Sequence, residues 1–177
     1  MNEKIRVLIP EEDIQKRIAE VGAALSRDYE GKEVLMICVL RGGVFFACEL
    51  AKHITVPLSM DFMCVSSYGS GTVSKGTVKI IKDLDENIEG KHVLIAEDIV
   101  DSGNTLSTLI KLLKVRKPAS VKLCTLLDKP ERRVVDIEAD YSCFKIPDEF
   151  VVGYGLDYDQ HYRNLPYIGV VELNEEA

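Results

Sequence analysis

Three acidic residues stand close together, Glu97, Asp98 and Asp101, and the last opens a run of small residues, Asp101-Ser102-Gly103-Asn104-Thr105. Carboxylates accept hydrogen bonds from hydroxyls and ligate hard divalent cations. The small residues favour a tight turn whose backbone N–H groups converge on an anion. Behind them Leu106, Leu109, Ile110 and Leu113 recur at helical spacing. The turn therefore precedes a helix N-terminus, where exposed amides and the dipole favour phosphate. In front, Val93-Leu94-Ile95-Ala96 is an apolar run suited to a strand buried on both faces of a parallel sheet. Adjacent carboxylates are costly inside such a strand, so Glu97 and Asp98 are expected to mark its carboxyl end, where the chain opens into a crevice. Negative charge beside an anion site suits a phosphorylated sugar, with the phosphate on the loop and the ring hydroxyls on the acids. A divalent cation could be shared with the ligand oxygens. The alternative is a strand–turn–helix whose acids are merely solvated.

The elements that would position these residues are legible along the chain. After Pro10, Glu11, Glu12 and Asp13 open a helix with an apolar stripe at Ile14, Ile18, Val21 and Leu25. Val34–Leu40 reads as a fully buried strand that runs into Arg41-Gly42-Gly43 and then a helix through Phe46, Leu50 and Ile54. This is a second strand–glycine–helix junction. Its glycines permit close approach of a ligand to the backbone, and Arg41 supplies a fixed charge. Strands are expected at 59–65, 78–81, 121–127, 140–146, 150–154 and 168–171. Ser66–Gly76 is rich in glycine and nearly without apolar anchors, which fits either a hairpin tip or a lid. Lys129 stands at a strand's end, on the same edge as the acids if the strands are parallel, and Glu131-Arg132-Arg133 reads as a solvated loop.

The segment Val93–Leu106 resembles the phosphoribosyl-diphosphate motif of the type I phosphoribosyltransferases: an apolar strand, two acids, two apolar residues, then Asp-Ser-Gly-Asn-Thr. The resemblance runs over nearly the whole chain and is strongest to the bacterial hypoxanthine (6-oxopurine) branch. It implies an α/β fold with a central, mainly parallel sheet flanked by helices, a small hood and a flexible lid loop at about 66–76, in a single domain over 1–177. It further implies substrate contacts from Ser102, Gly103, Asn104 and Thr105, and a pyrophosphate loop at Arg41, Gly42 and Gly43, with a non-proline cis peptide at or beside Leu40–Arg41. Arg41 stands where many relatives carry Lys. Ser67 and Tyr68 match the lid. Leu126-Leu127-Asp128-Lys129 matches the position where a lysine donates to the purine 6-oxo group. Within Ile146–Tyr154, Phe150 would stack on the base and Val151 would bond it through the backbone. Asp157 resembles the residue that binds magnesium near the pyrophosphate, and Arg163 the one that reaches the pyrophosphate itself. The implied reaction joins hypoxanthine or guanine to ribose 5-phosphate from phosphoribosyl diphosphate, giving IMP or GMP and pyrophosphate in purine salvage. Asp101 would take the proton lost by the purine imidazole, Glu97 and Asp98 would face the ribose and Mg²⁺, and Mg²⁺ would be the cofactor. A homodimer or homotetramer is the family expectation.

Composition bounds the remaining classes. A chain of 177 residues with 46% hydrophobic and 29% charged residues fits one soluble domain with a full core. The net charge of −7 disfavours a general nucleic-acid surface, and so a phosphoribosyltransferase-like regulator that binds RNA and senses nucleotides. A third reading makes Asp98 a phosphoacceptor at a strand end, which leaves Ser102–Thr105, Lys129 and Phe150 unexplained. The N-terminal stretch lacks a long apolar core, and Val34–Leu40 is too short to span a membrane. Five cysteines, an odd number without a C-x-x-C pair, suit buried reduced thiols in the cytoplasm.

Overall fold

The computed structural model describes residues 4–67 and 78–172. In chain order the elements are β1 (Lys4–Ile9), α1 (Glu11–Asp28), β2 (Val34–Leu40), α2 (Val44–Lys52), β3 (Leu58–Ser67), β4 (Val78–Lys82), β5 (His92–Val100), α3 (Asn104–Val115), β6 (Ser120–Asp128), β7 (Tyr141–Lys145), β8 (Val151–Val152) and β9 (Ile168–Glu172). A six-stranded sheet has the order β4-β3-β2-β5-β6-β7. All neighbours in it are parallel except β3 and β4. A separate antiparallel sheet, β1-β9-β8, forms the expected hood.

The order of the large sheet reverses between β2 and β5. From β2 the chain passes through α2 to β3 on one side, and from β5 through α3 to β6 on the other. Right-handed crossovers running in opposite directions place their helices on opposite faces of the sheet. Accordingly, Phe46 and Leu50 of α2 join Ile14, Ile18 and Leu25 of α1 in one core, with Met36 and Leu94 of the sheet. Leu106, Leu109 and Leu113 of α3 join Ile37 and Ile95 in the other. Successive strand residues point to opposite faces, so β2 must be apolar at nearly every position, and Val34–Val39 is buried throughout.

Four expectations change. The acids Glu97 and Asp98 do not end the central strand, which continues to Val100. β5 pairs with β2 only as far as Cys38 opposite Ala96, whereas pairing with β6 goes on to Val100 opposite Asp128. The acids thus stay in an extended, hydrogen-bonded chain while one edge is open to the crevice. The strand expected at 150–154 is only Val151–Val152, because Gly153, Tyr154 and Gly155 take positive φ values of 95°, 49° and 102°. Lys4–Ile9, unassigned from sequence, is a strand because β9 supplies its partner. Ser66 and Ser67, expected in the lid, belong to β3 and pair with Lys79 and Val78 of β4. The rest of the expected lid, with Tyr68, lies outside the described residues.

Candidate active site

The carboxyl ends of β2 and β5 flank the point where strand order reverses, and a cleft of about 330 Å³ opens there. Gly42 lines it from the β2–α2 junction, Glu97, Asp98 and Asp101 from β5 and its loop, Ser102, Gly103 and Thr105 from the turn into α3, and Asp157 and Arg163 from the segment after β8. Residues scattered over 122 positions from Gly42 to Arg163 in sequence are therefore neighbours.

The anion end is built from backbone. Gly103 is the N-cap of α3 with φ of 83° and has no side chain to cap it, while the Asn104 amide donates to Ser102 Oγ at a long 3.4 Å. The first amides of a helix have no internal backbone acceptor, so those beyond Asn104 are available to an anion in the cleft that Gly103 and Thr105 line. Gly103 is required twice over: its φ disfavours other residues, and a Cβ there would lie 2.5 Å from Cγ2 of Ile137. The β2–α2 junction contains the cis peptide Leu40–Arg41. The Gly43 amide donates to the Val39 carbonyl at 3.1 Å and the Val44 amide to that of Arg41 at 3.3 Å. The Gly42 amide has no such acceptor among the described residues.

The acidic end is strained electrostatically rather than sterically. Burial and then the adjacent Asp98 charge hold the Glu97 carboxyl well above the usual carboxylate range. Burial also raises Asp98, partly offset by its contact with Glu97, the Ile99 amide and the charge of Arg163. The Ile99 amide donates to Asp98 Oδ1 at 2.7 Å. Two such groups titrate as a pair. Cys38 lies beneath them, and its thiol is pushed up to about 12 by burial first, then by Cys48, Glu97 and Asp98, so it stays protonated near neutrality.

Arg163, which lines the cleft, and Arg41, which flanks it, converge on one residue. Arg163 pairs with Asp157 at 2.7 Å and donates to the Gly155 carbonyl at 2.6 Å. Both guanidinium groups donate to the side-chain oxygen of Gln160, at 2.8 Å from Arg41 and 3.2 Å from Arg163. Gln160 carried no signal in the sequence; only the fold brings it between two arginines.

Among the described residues, no group of three or more His, Cys, Asp or Glu side chains converges to hold a metal. Glu97, Asp98 and Asp157 thus line one cleft without forming a three-ligand cage. Their hard carboxylate oxygens still fit Mg²⁺, which commonly takes one or two carboxylates, keeps several waters and shares substrate phosphate oxygens.

A second cluster lies beyond the β6 end, next to the cleft. Lys129 is buried, donates to the Glu149 carbonyl at 2.6 Å and lies 3.8 Å from Asp148. Phe150 is 54% exposed and meets the ring of Tyr158 edge-on at 5.6 Å. Val151 is buried and pairs with Val170. Arg41, Gly43 and Asn104 flank the cleft rather than line it.

Glu131 and Arg132 are exposed, as a solvated loop requires, but the segment is also tied to the anion loop. Pro130–Arg132 is a 3₁₀ turn, and Arg132 donates to Asp101 Oδ1 at 3.1 Å. Arg133 donates to the Asp101 carbonyl at 2.6 Å and pairs with the Asp128 carboxylate. The Val134 amide donates to the Ser102 carbonyl at 3.1 Å. The segment braces the anion loop from behind. Two adjacent arginines, three and four positions after Lys129, were the available signal.

Comparison with known proteins agrees with this geometry. Residues 10–159 match the phosphoribosyl transferase domain family. A hypoxanthine-guanine phosphoribosyltransferase of Streptococcus thermophilus is 58% identical over 167 residues, covering 94% of this chain and 93% of that protein. A crystal structure of a Staphylococcus aureus hypoxanthine phosphoribosyltransferase superposes with a TM-score of 0.92 at 55% identity, over 94% of this chain and 91% of that one. That of a Bacillus anthracis hypoxanthine-guanine phosphoribosyltransferase gives 0.92 at 49% identity, over 96% and 100%. A domain match over most of the chain, identities of 49 to 58% and a shared backbone course lead to one conclusion: this chain belongs to the phosphoribosyl transferase family.

Proposed function

We propose that the chain transfers the 5-phosphoribosyl group of phosphoribosyl diphosphate to hypoxanthine, and to guanine, releasing pyrophosphate with IMP or GMP, as a purine-salvage enzyme. The observation that carries this reading is the juxtaposition, in one cleft, of the α3 N-terminus, whose Gly103 N-cap has no side chain, with the buried Glu97 and part-buried Asp98 carboxylates. A 5-phosphate suits the amides and hydroxyls of Ser102–Thr105. The ribose carbon develops positive charge as its bond to pyrophosphate breaks, and the neighbouring carboxylates favour that charge. The Gly42 amide and Arg163 receive the leaving pyrophosphate, with Arg41 beside them. Mg²⁺, held by Glu97, Asp98 or Asp157 together with substrate oxygens, would neutralise charge on the pyrophosphate.

The base fits the second cluster. Phe150 offers a ring face, Val151 its backbone, and Lys129 a donor for the 6-oxo oxygen. Asp101 acts as general base toward the imidazole proton. Ser67 stands at the end of β3 and would lead, with Tyr68, into a lid over the site, within a single domain over the whole chain. Among the described residues no helix is long and apolar enough to cross a membrane. A cytoplasmic homodimer or homotetramer completes the proposal.

Pyrophosphate release from phosphoribosyl diphosphate and Mg²⁺ with hypoxanthine, guanine, xanthine and adenine in turn tests it. Release with hypoxanthine and guanine, and little with adenine, is expected. No release with any base overturns the proposal and favours a nucleotide-binding regulator.

A further inference from the structure

We infer that Arg132 is a positioning residue that ties the orientation of Asp101 to the base-reading segment, an inference that rests on the role of Asp101 proposed above. Arg132 ends the turn that starts directly after Lys129. Its Nε donates to Asp101 Oδ1 at 3.1 Å, and another nitrogen of the same guanidinium lies 3.5 Å from Asp148 Oδ2. The other oxygen of Asp148 lies 3.8 Å from Lys129 Nζ. A polar chain therefore runs Asp101–Arg132–Asp148–Lys129, from the proposed proton acceptor to the group that reads the 6-oxo oxygen.

Stability does not account for this chain. The side chains of Arg132, Asp101 and Asp148 are 51%, 44% and 48% exposed, and pairs that exposed contribute little to folding. Orientation does. Asp101 stands on a loop with its carboxylate half in solvent, free to take several rotamers unless a partner selects one. A planar guanidinium offers donors in fixed directions and can hold two carboxylates in a defined relation, which an ammonium cannot. Asp148 secures Arg132 from the far side, and the Lys129 ammonium shares Asp148. Engagement of Lys129 by the base thus acts on the same chain that aims Asp101.

The test compares Arg132→Ala, Arg132→Lys, Asp148→Asn and the double variant Arg132→Ala/Asp148→Asn, with Asp101→Asn as control, for kcat, KM of both substrates and Tm. A misplacement of about 1 Å can cost on the order of 10²-fold, so a fall in kcat of about 10-fold is expected for Arg132→Ala. KM for phosphoribosyl diphosphate should stay within about 2-fold, since uniform binding is untouched. Arg132→Lys should recover part of kcat, and the double variant should be no slower than Arg132→Ala alone. Unchanged kcat in Arg132→Ala while Asp101→Asn abolishes turnover overturns this inference alone. So does a fall in kcat that follows Tm and vanishes on cooling, or full additivity of the two single losses. Near-normal turnover of Asp101→Asn overturns the proposed role of Asp101 and this inference with it.

Discussion

Gly42 and Asp98 touch so closely that a Cβ on Gly42 would lie 1.6 Å from Asp98 Oδ2 and 2.6 Å from its Cγ. One is the glycine after the cis peptide that ends β2, the other an acid within β5, and they meet where strand order reverses. Behind Gly42 there is no slack: a Cβ on Gly155 would lie 2.0 Å from the Gly42 carbonyl oxygen. Gly155 thus packs on the Gly42 backbone, and Gly42 in turn lies against the Asp98 carboxylate, so three segments distant in sequence meet there.

Gly42→Ala should therefore displace Asp98 rather than relax into free space. Forcing a methyl group into a filled site costs about 1–3 kcal/mol. The expected outcome is a lowered Tm together with a fall in kcat/KM for phosphoribosyl diphosphate. A variant with unchanged Tm and kinetics would show that the Asp98 side chain is free to turn away at no cost.

The raised carboxyls of Glu97 and Asp98 predict a pH dependence of the protein without ligands. Between the ordinary carboxylate range and their raised values the folded state holds more protons than the unfolded state, so stability falls as pH rises through that window. Glu97→Gln removes the group with the larger burden. Thermal unfolding from acid to neutral pH should show a flatter slope and a higher Tm near neutrality in the variant. Parallel curves for the two proteins would rule out Glu97 as the source.

Asp101→Asn keeps the side chain's shape and removes the base. Turnover should fall roughly 10²–10⁴-fold, the span usual for lost general-base catalysis. Binding of phosphoribosyl diphosphate, followed by calorimetry, should change little by comparison. Near-normal turnover would reduce Asp101 to a turn residue held by Arg132.

Lys129 predicts base choice. Its ammonium only donates, so it suits the 6-oxo oxygen of hypoxanthine and opposes the 6-amino group of adenine. An unpaired buried donor costs on the order of 1–3 kcal/mol, which makes adenine a poor substrate. Lys129→Ala should lose hypoxanthine activity and narrow the gap between the two bases. An unchanged ratio of kcat/KM values would mean that Lys129 does not read the base.

What the sequence determined by itself is local. The apolar run before Glu97 and Asp98, the small residues after Asp101 and the helical spacing from Leu106 specify strand, anion turn and helix without reference to the rest of the chain. The same holds for Val34–Leu40 and its glycines, because burial on both faces and close backbone approach leave direct marks on residue type. The family resemblance was legible for the same reason, its motifs being contiguous. The tertiary structure decided what depends on partners. Glu97 and Asp98 remain within a strand because β6 extends past the end of β2 pairing, which no local pattern records. Lys4–Ile9 is a strand only because β9 lies beside it. Arg132 and Arg133 read as part of a solvated loop and Gln160 carried no signal, yet the fold sets them against Asp101, Asp128, Arg41 and Arg163. A charged side chain's role is fixed by what stands opposite it, 31 positions away for Arg132 and Asp101 and 119 for Arg41 and Gln160, and residue type alone does not encode that neighbour.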